Sequence, residues 1–214
     1  MEFNQVKQIG KKYRQQIVEF DKTIANNHFE FESLKDLEIA LNAKTQKQGM
    51  CFSVEHKRYH FECMFYKKIK KNQNLYVLYN GVHIKERLPR FPRWTYYNLF
   101  SGSMLCIEDP MYYKYPDLSL GWLWGTPEES LIEISVDIIK TVCDIMGIPS
   151  EKVIFFSSSG GGYDGIYAST FLNGSMAIAL NPQLYIQNYV HTPNFIKTTG
   201  YNLREKVSPH SWTP

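Results

Sequence analysis

The stretch FFSSSGGGYDG, Phe155 to Gly165, places three serines before three glycines. A β-branched and aromatic run precedes it and an apolar run follows it. A serine at such a strand-to-helix turn can act as a nucleophile. In the pattern small-x-Ser-x-Gly the serine sits in a strained turn, and its hydroxyl projects above the sheet edge. Ser157-Ser158-Ser159-Gly160-Gly161 fits, with Ser159 as the nucleophile. Residues two before and two after it crowd each other and must be small, as Ser157 and Gly161 are. Gly162 lets the helix approach the strand closely. The backbone N–H of Gly160 would then face a developing oxyanion, aided by the helix N-terminus.

Two other readings of these residues stand beside this one. Gly160, Gly162 and Gly165 satisfy the dinucleotide fingerprint G-x-G-x-x-G after a strand. That motif expects an acidic residue about 20 residues on, at the end of the next strand, to meet a ribose. Here the next strand ends in Asn181-Pro182-Gln183, without a carboxylate. The bland reading is a glycine-rich turn with no chemistry.

The elements that must position Ser159 follow from periodicity. Val6, Ile9, Tyr13, Ile17 and Phe20 predict a helix over Gln5 to Asn26. Ser33 opens a second short helix to Ala43. The period then becomes two, and Met50 to Glu55 and Tyr59 to Tyr66 read as strands around a polar turn at His56-Lys57. Leu75 to Tyr79 and Met104 to Ile107 read as further strands. Thr126-Pro127-Glu128-Glu129 supplies a helix N-cap, a first-position proline and a capping-box glutamate. The stripe Leu131, Ile134, Ile138, Val142, Ile145 follows, and Gly147 and Pro149 stop the helix. Val153 to Phe156 is then a strand, Gly162 to Leu172 a helix and Met176 to Leu180 a strand. This alternation implies parallel pairing with right-handed crossovers.

Composition narrows the function classes. The 214 residues suffice for one domain with a real core, at 43% hydrophobic and 21% charged. The net charge of +3 implies neither a nucleic-acid nor a membrane partner. Cys51, Cys63, Cys106 and Cys143 lie far apart in apolar stretches and read as buried thiols of a reducing compartment. No apolar signal core opens the chain and no run approaches a spanning helix, so a cytoplasmic protein is expected. No ligand spacing suggests a metal, and no cofactor is expected. Trp94, Trp122 and Trp124 either line a sugar- or acyl-binding cleft or cap the core. Arg87, Arg90 and Arg93 either meet an anionic substrate or form surface ion pairs.

From Leu75 to Gln183 the chain resembles the α/β-hydrolase superfamily. LYVLYNG is similar to its third strand and oxyanion loop, SMLCIEDP to its fourth strand, VIFFSSSGGGYDG to its fifth strand with the nucleophile elbow, and MAIALNPQ to its sixth strand. RFPRW, EDP, LGWLWG and LNPQ resemble a bacterial subgroup of serine-hydrolase-like proteins, some found beside glycan-assembly enzymes. The resemblance implies a three-layer α/β/α sandwich with a mostly parallel sheet, carrying N-terminal helices and a β-hairpin. It divides the chain into an N-terminal helical region, 1–46, and a hydrolase-like part, 47–214, within one domain. It implies a serine hydrolase, a carboxylic-ester hydrolase or acyl-transfer enzyme, acting on a small-molecule or glycan ester. Gly81 or Val82 would donate the second oxyanion N–H beside Gly160, and Trp94, Arg93 and Trp122 would bind substrate.

The superfamily's triad runs Ser, acid, His. After Leu180 the remaining tail shows no strand-helix alternation, and the chain reads as C-terminally incomplete. His191 and His210 are the available bases. Glu205 precedes His210, so Ser159, Glu205, His210 keeps the order. Asp164 reads as charge at the N-terminus of the elbow helix, and Asp109 as a turn starter near the pocket. A hydrolase-fold binding or assembly protein without catalysis is the alternative.

Overall fold

The structure is a computed structural model that describes residues 28–42, 49–68, 73–82 and 89–204. The helix read over Gln5 to Asn26, and Arg87, Glu205 and His210, lie outside the described residues.

Seven strands form one sheet: β1 (His28–Phe31), β2 (Gly49–His56), β3 (Tyr59–Tyr66), β4 (Leu75–Tyr79), β5 (Ser103–Ile107), β6 (Val153–Ser158) and β7 (Met176–Leu180). Their spatial order is β1-β2-β3-β5-β4-β6-β7. β3 runs antiparallel to β2 and β5, and every other neighbouring pair is parallel. β2 and β3 form the expected hairpin, but the turn is Lys57-Arg58, both at positive φ, one residue later than the sequence suggested. β1 was not legible in sequence: HFEF is too short to show a period, yet it pairs in parallel with β2.

Five helices accompany the sheet: α1 (Leu34–Asn42), α2 (Met111–Lys114), α3 (Leu131–Met146), α4 (Gly160–Ser169) and α5 (Thr192–Thr199). α1, α3 and α4 cover one face, sealing Phe52, Phe65, Val77, Leu105 and Phe155 under Leu37, Ile134, Ile138 and Ala168. The other face is covered at β2, β3, β5 and β4 by an aromatic loop. Phe91 and Tyr97 of that loop pack on Met64, Leu78, Met104 and Cys106. All four cysteines are buried. Among the described residues no helix is long and apolar enough to cross a membrane.

The start of α3 corrects the sequence reading. Thr126 Oγ1 accepts N–H bonds from Glu128 and Glu129 and closes a separate turn. The helix N-cap is Ser130, whose hydroxyl accepts from the Glu133 N–H. The mechanism is the one expected, moved four residues on, because Gly125 at φ 84° turns the chain before it can enter the helix.

The site lies where the topology reverses direction. From β4 the chain moves to one side to make β5. α3 then carries it back across to make β6 on the other side of β4. The C-terminal ends of β4 and β6 therefore flank a switch point, where open α/β sheets hold ligands. The strands also part there. β4 pairs with β6 only over Leu75–Val77. At Tyr79 the backbone N–H donates instead to the buried Ser157 side chain, at 2.8 Å.

Candidate active site

Ser159 stands at the end of β6 with φ 57° and ψ −128°, a conformation that a non-glycine residue adopts only under constraint. The constraint is visible. Its N–H donates to Leu180 O of β7 at 3.1 Å, and its carbonyl accepts from the N–H groups of Gly162, Tyr163 and Gln183. Although Ser159 occupies the N-cap position of α4, its hydroxyl does not cap the helix. Oγ is thus left outside the helix turn, beside the first N–H groups of α4, which have no intrahelical acceptor.

The glycines around it are required by close approach. A Cβ on Gly161 would lie 2.5 Å from Tyr79 O, and one on Gly160 would lie 2.8 Å from Leu120 Cδ1. A Cβ on Gly165 would meet Phe155 Cβ at 3.3 Å. These glycines seat α4 against β4, β6 and the 120–125 loop. Their spacing is explained by packing, and together with the absent ribose acid this removes the basis for the dinucleotide reading. Gly81 closes the front: a Cβ there would be 3.7 Å from Ser159 Cβ and 4.0 Å from its Oγ. Tyr112 holds this turn by donating its hydroxyl to Gly81 O at 2.8 Å, and Val82 O accepts from Arg90 Nη1.

The partner of Ser159 Oγ is a residue the sequence reading did not single out. Gln183 Nε2 donates to it at 2.6 Å, and Gln183 Oε1 accepts from Trp122 Nε1 at 2.7 Å. The indole fixes the amide so that its N–H side faces the serine. Trp122 itself is buried and packs on Phe195 and Tyr189. It reaches the site through Gln183 and does not line a cleft. Trp124 likewise packs in the core, against Phe195 and Tyr201. Trp94 stacks parallel to Tyr97 in the aromatic loop. Arg93, at φ 61°, donates to Ser158 Oγ at 2.5 Å, one residue from the elbow.

His191 is turned elsewhere. Its Nδ1 lies 2.9 Å from Ser119 Oγ, which also bonds Asn194 Oδ1 at 2.8 Å. This network ties the start of α5 to the 118–120 stretch. No bond between His191 and Ser159 is present among the described residues.

Two acidic residues after β5 brace the site. Glu108 accepts from Asn80 Nδ2, the Arg90 N–H and Tyr113 OH. Burial pushes its carboxyl up to about 7. Asp109 accepts from the N–H groups of Met111 and Leu123, and burial pushes it up to about 6. A Cβ on Gly121 would sit 2.2 Å from Asp109 Oδ2, so the 120–125 loop can dock only with glycine there. Asp164 departs from expectation. It is 2% exposed, with Oδ1 unpartnered, and burial followed by the nearby Asp109 carboxyl raises its pKa well above normal. A neutral buried acid replaces the exposed helix-terminal charge read from sequence.

The four short stretches noted in the sequence prove to be one scaffold. RFPRW reaches Ser158 through Arg93 and Glu108 through the Arg90 N–H. EDP holds LGWLWG through Asp109, and LGWLWG covers Gly160 with Leu120 and fixes Gln183 with Trp122. LNPQ delivers Gln183 to Ser159.

No protein-family model matches this chain, and neither does any curated protein sequence. Solved structures do. Dipeptidyl peptidase 4 of Porphyromonas gingivalis matches with TM-score 0.50 at 16% identity, over 73% of this chain and 24% of that one. The glycosylation-associated Gap123 complex of Streptococcus agalactiae matches with TM-score 0.46 at 21% identity, over 63% and 24%. A capsule O-acetyltransferase of Neisseria meningitidis serogroup A matches with TM-score 0.44 at 16% identity, over 64% and 57%. Carboxylesterases stand among the further matches. The chain thus spans between about a quarter and three fifths of the length of these three structures. At such identities the likeness shows architecture alone, and it agrees with the strand order, the switch point and the strained serine turn: the chain has the α/β-hydrolase fold.

Proposed function

We propose that the chain carries the nucleophile of a serine acyl-transfer or ester-hydrolysis centre, with Ser159 attacking an ester carbonyl. One observation supports this above the others. Ser159 is held at φ 57° by four backbone hydrogen bonds while its hydroxyl is spared from capping α4. A cap serine would relax this strain by bonding the helix, so the geometry favours an exposed hydroxyl over a stable helix start. The N–H of Gly160 and the Gly81–Val82 turn would receive the oxyanion as the carbonyl becomes tetrahedral. Arg93, beside the elbow, would meet an acidic or hydroxyl-rich group of the substrate. The substrate class is an ester of a small molecule or a glycan. The glycan alternative comes from the resemblance of RFPRW, EDP, LGWLWG and LNPQ to hydrolase-like proteins found beside glycan-assembly enzymes.

The reaction needs a base to take the Oγ proton. His191 is engaged with Ser119, so we assign the base to His210 and its orientation to Glu205. The base must then share or take the place beside Oγ that Gln183 holds. The test is labelling with a fluorophosphonate probe and peptide mapping. Labelling at Ser159 that disappears in Ser159→Ala and in His210→Ala is expected. A folded protein that takes up no label overturns the reading.

Gln183 favours a second reading, a binding or assembly protein without catalysis. An amide N–H donated to Oγ makes the serine an acceptor and does nothing to remove its proton. Under that reading no variant labels, and the fold is unaffected by Ser159→Ala.

A further inference from the structure

The two edges of the sheet differ. β1 presents His28 and Glu30 and is short, which discourages pairing with another chain. β7 reads Met176-Ala177-Ile178-Ala179-Leu180 and carries no charge, proline or bulge. Its large side chains are exposed: Met176 at 57%, Ile178 at 40% and Leu180 at 45%. They share one face with the half-buried Ile154 and Phe156 of β6, where the aromatic loop no longer reaches fully across the sheet. Leu184 and Tyr185, shortly after the strand, are exposed at 55% and 61%.

We propose that β7 pairs antiparallel with β7 of a second copy of this chain, about a two-fold axis at Ile178, joining two sheets into one. Three features carry this. First, the hydrogen-bonding phase is right. Leu180 O bonds Ser159 N in β6, so Leu180, Ile178 and Met176 direct their backbone groups inward. The N–H and C=O of Ala177 and Ala179 then point to the open edge. An axis at Ile178 sets Ala177 opposite the second copy's Ala179, and each such pair exchanges two backbone bonds. Ile178 meets its own counterpart as a non-bonded pair, where side chains approach closest.

Second, the strand is self-complementary, as an isologous contact requires. Met176 faces Leu180, Ile178 faces Ile178, and alanine faces alanine on the side toward α4. No charge opposes itself across the axis. A parallel addition would lack closure and continue from copy to copy.

Third, the area is of the right order. At roughly 200 Å² per large side chain, the five exposed residues offer on the order of 500 Å² of apolar surface, the size at which a patch on a single chain marks an interface. With the backbone groups and the alanines it approaches the ~800 Å² per partner of a standard interface.

The test is sedimentation equilibrium of the full chain and of two variants, Ile178→Lys and Ile178→Glu. Ile178 is on the exposed face, and circular dichroism checks that each variant folds. The expected result is a wild-type dimer, a loss of affinity of about 100-fold or more in each variant from like charges at the axis, and restored dimer when the two variants are mixed. A wild-type monomer at micromolar concentration overturns the proposal and leaves a segment of the same chain or another protein as the cover. A dimer that survives both substitutions also overturns it, because its contact then lies elsewhere.

Discussion

The elbow and the segment that follows β7 meet at one atom, Ser159 Oγ, and are built on different principles. The elbow is fixed by backbone. Three glycines seat α4 against carbonyls and side chains that cannot yield, and the serine's dihedral angles follow from four main-chain bonds. The 181–200 segment is fixed by side chains: Gln183 through Trp122, His191 through Ser119, Asn194 through Ser119 and Asp117. A backbone-determined feature leaves a residue-type signature, because only glycine or serine fits. A side-chain-determined feature can be rewired by a few substitutions. The two regions should therefore respond very differently to mutation.

The largest effect is expected at Gly161. Its added methyl would meet Tyr79 O at 2.5 Å and Asn80 O at 2.8 Å, both main-chain atoms. Gly161→Ala should cost about 3 kcal/mol or more by urea unfolding. Gly160→Ala meets only the end of the Leu120 side chain, which can rotate, and should cost about 1 kcal/mol. Equal costs for the two would show that backbone contact is not what holds the elbow.

The next effect is in the brace below the site. Glu108 and Asp109 are raised by burial to about 7 and about 6. Between about pH 5 and pH 8 the folded protein keeps protons that the unfolded chain has released, so stability falls as pH rises through this window. The drop should be on the order of 2 kcal/mol. Glu108→Gln keeps acceptors for Asn80 and the Arg90 N–H and should flatten the profile. An unchanged slope would place the buried proton on another group.

This contrast also explains what could be read from sequence. The elbow was legible at Ser159, and the strands from Leu75 onward were legible to within two residues, because period-two runs and glycine clusters report backbone demands. The short β1 has no period. The cap of α3 moved to Ser130 because Gly125 and Thr126 first make a turn of their own. Gln183 was hidden because a glutamine after a strand has no signature. Only the fold brings Trp122, 61 residues earlier, against its amide. Asp164 looked like helix-terminal charge because sequence shows position along a helix but not which side faces the sheet.

Gln183 supplies the sharper test of the comparison. Gln183→Ala leaves the Trp122 N–H buried without an acceptor, and a loss of about 1–2 kcal/mol is expected. With a catalytic Ser159, freeing Oγ from the amide should raise the rate of fluorophosphonate labelling. Without one, the variant stays unlabelled. Gln183→His adds a ring nitrogen at the position from which a base would act. Labelling gained only in that variant would mean that the backbone half of the centre is competent and the side-chain half is what this chain lacks.

The smallest effect is expected at His191, and it separates the two histidines. His191 bonds Ser119 Oγ on a half-buried surface, and Ser119 retains Asn194 when the imidazole is removed. His191→Ala should therefore cost less than about 1 kcal/mol and leave labelling at Ser159 unaltered. His210→Ala should leave stability unaltered and abolish labelling. If the outcomes are reversed, His191 must leave Ser119 to reach the serine. The 181–200 segment would then be a moving part of the site, and Gln183 would mark its resting position.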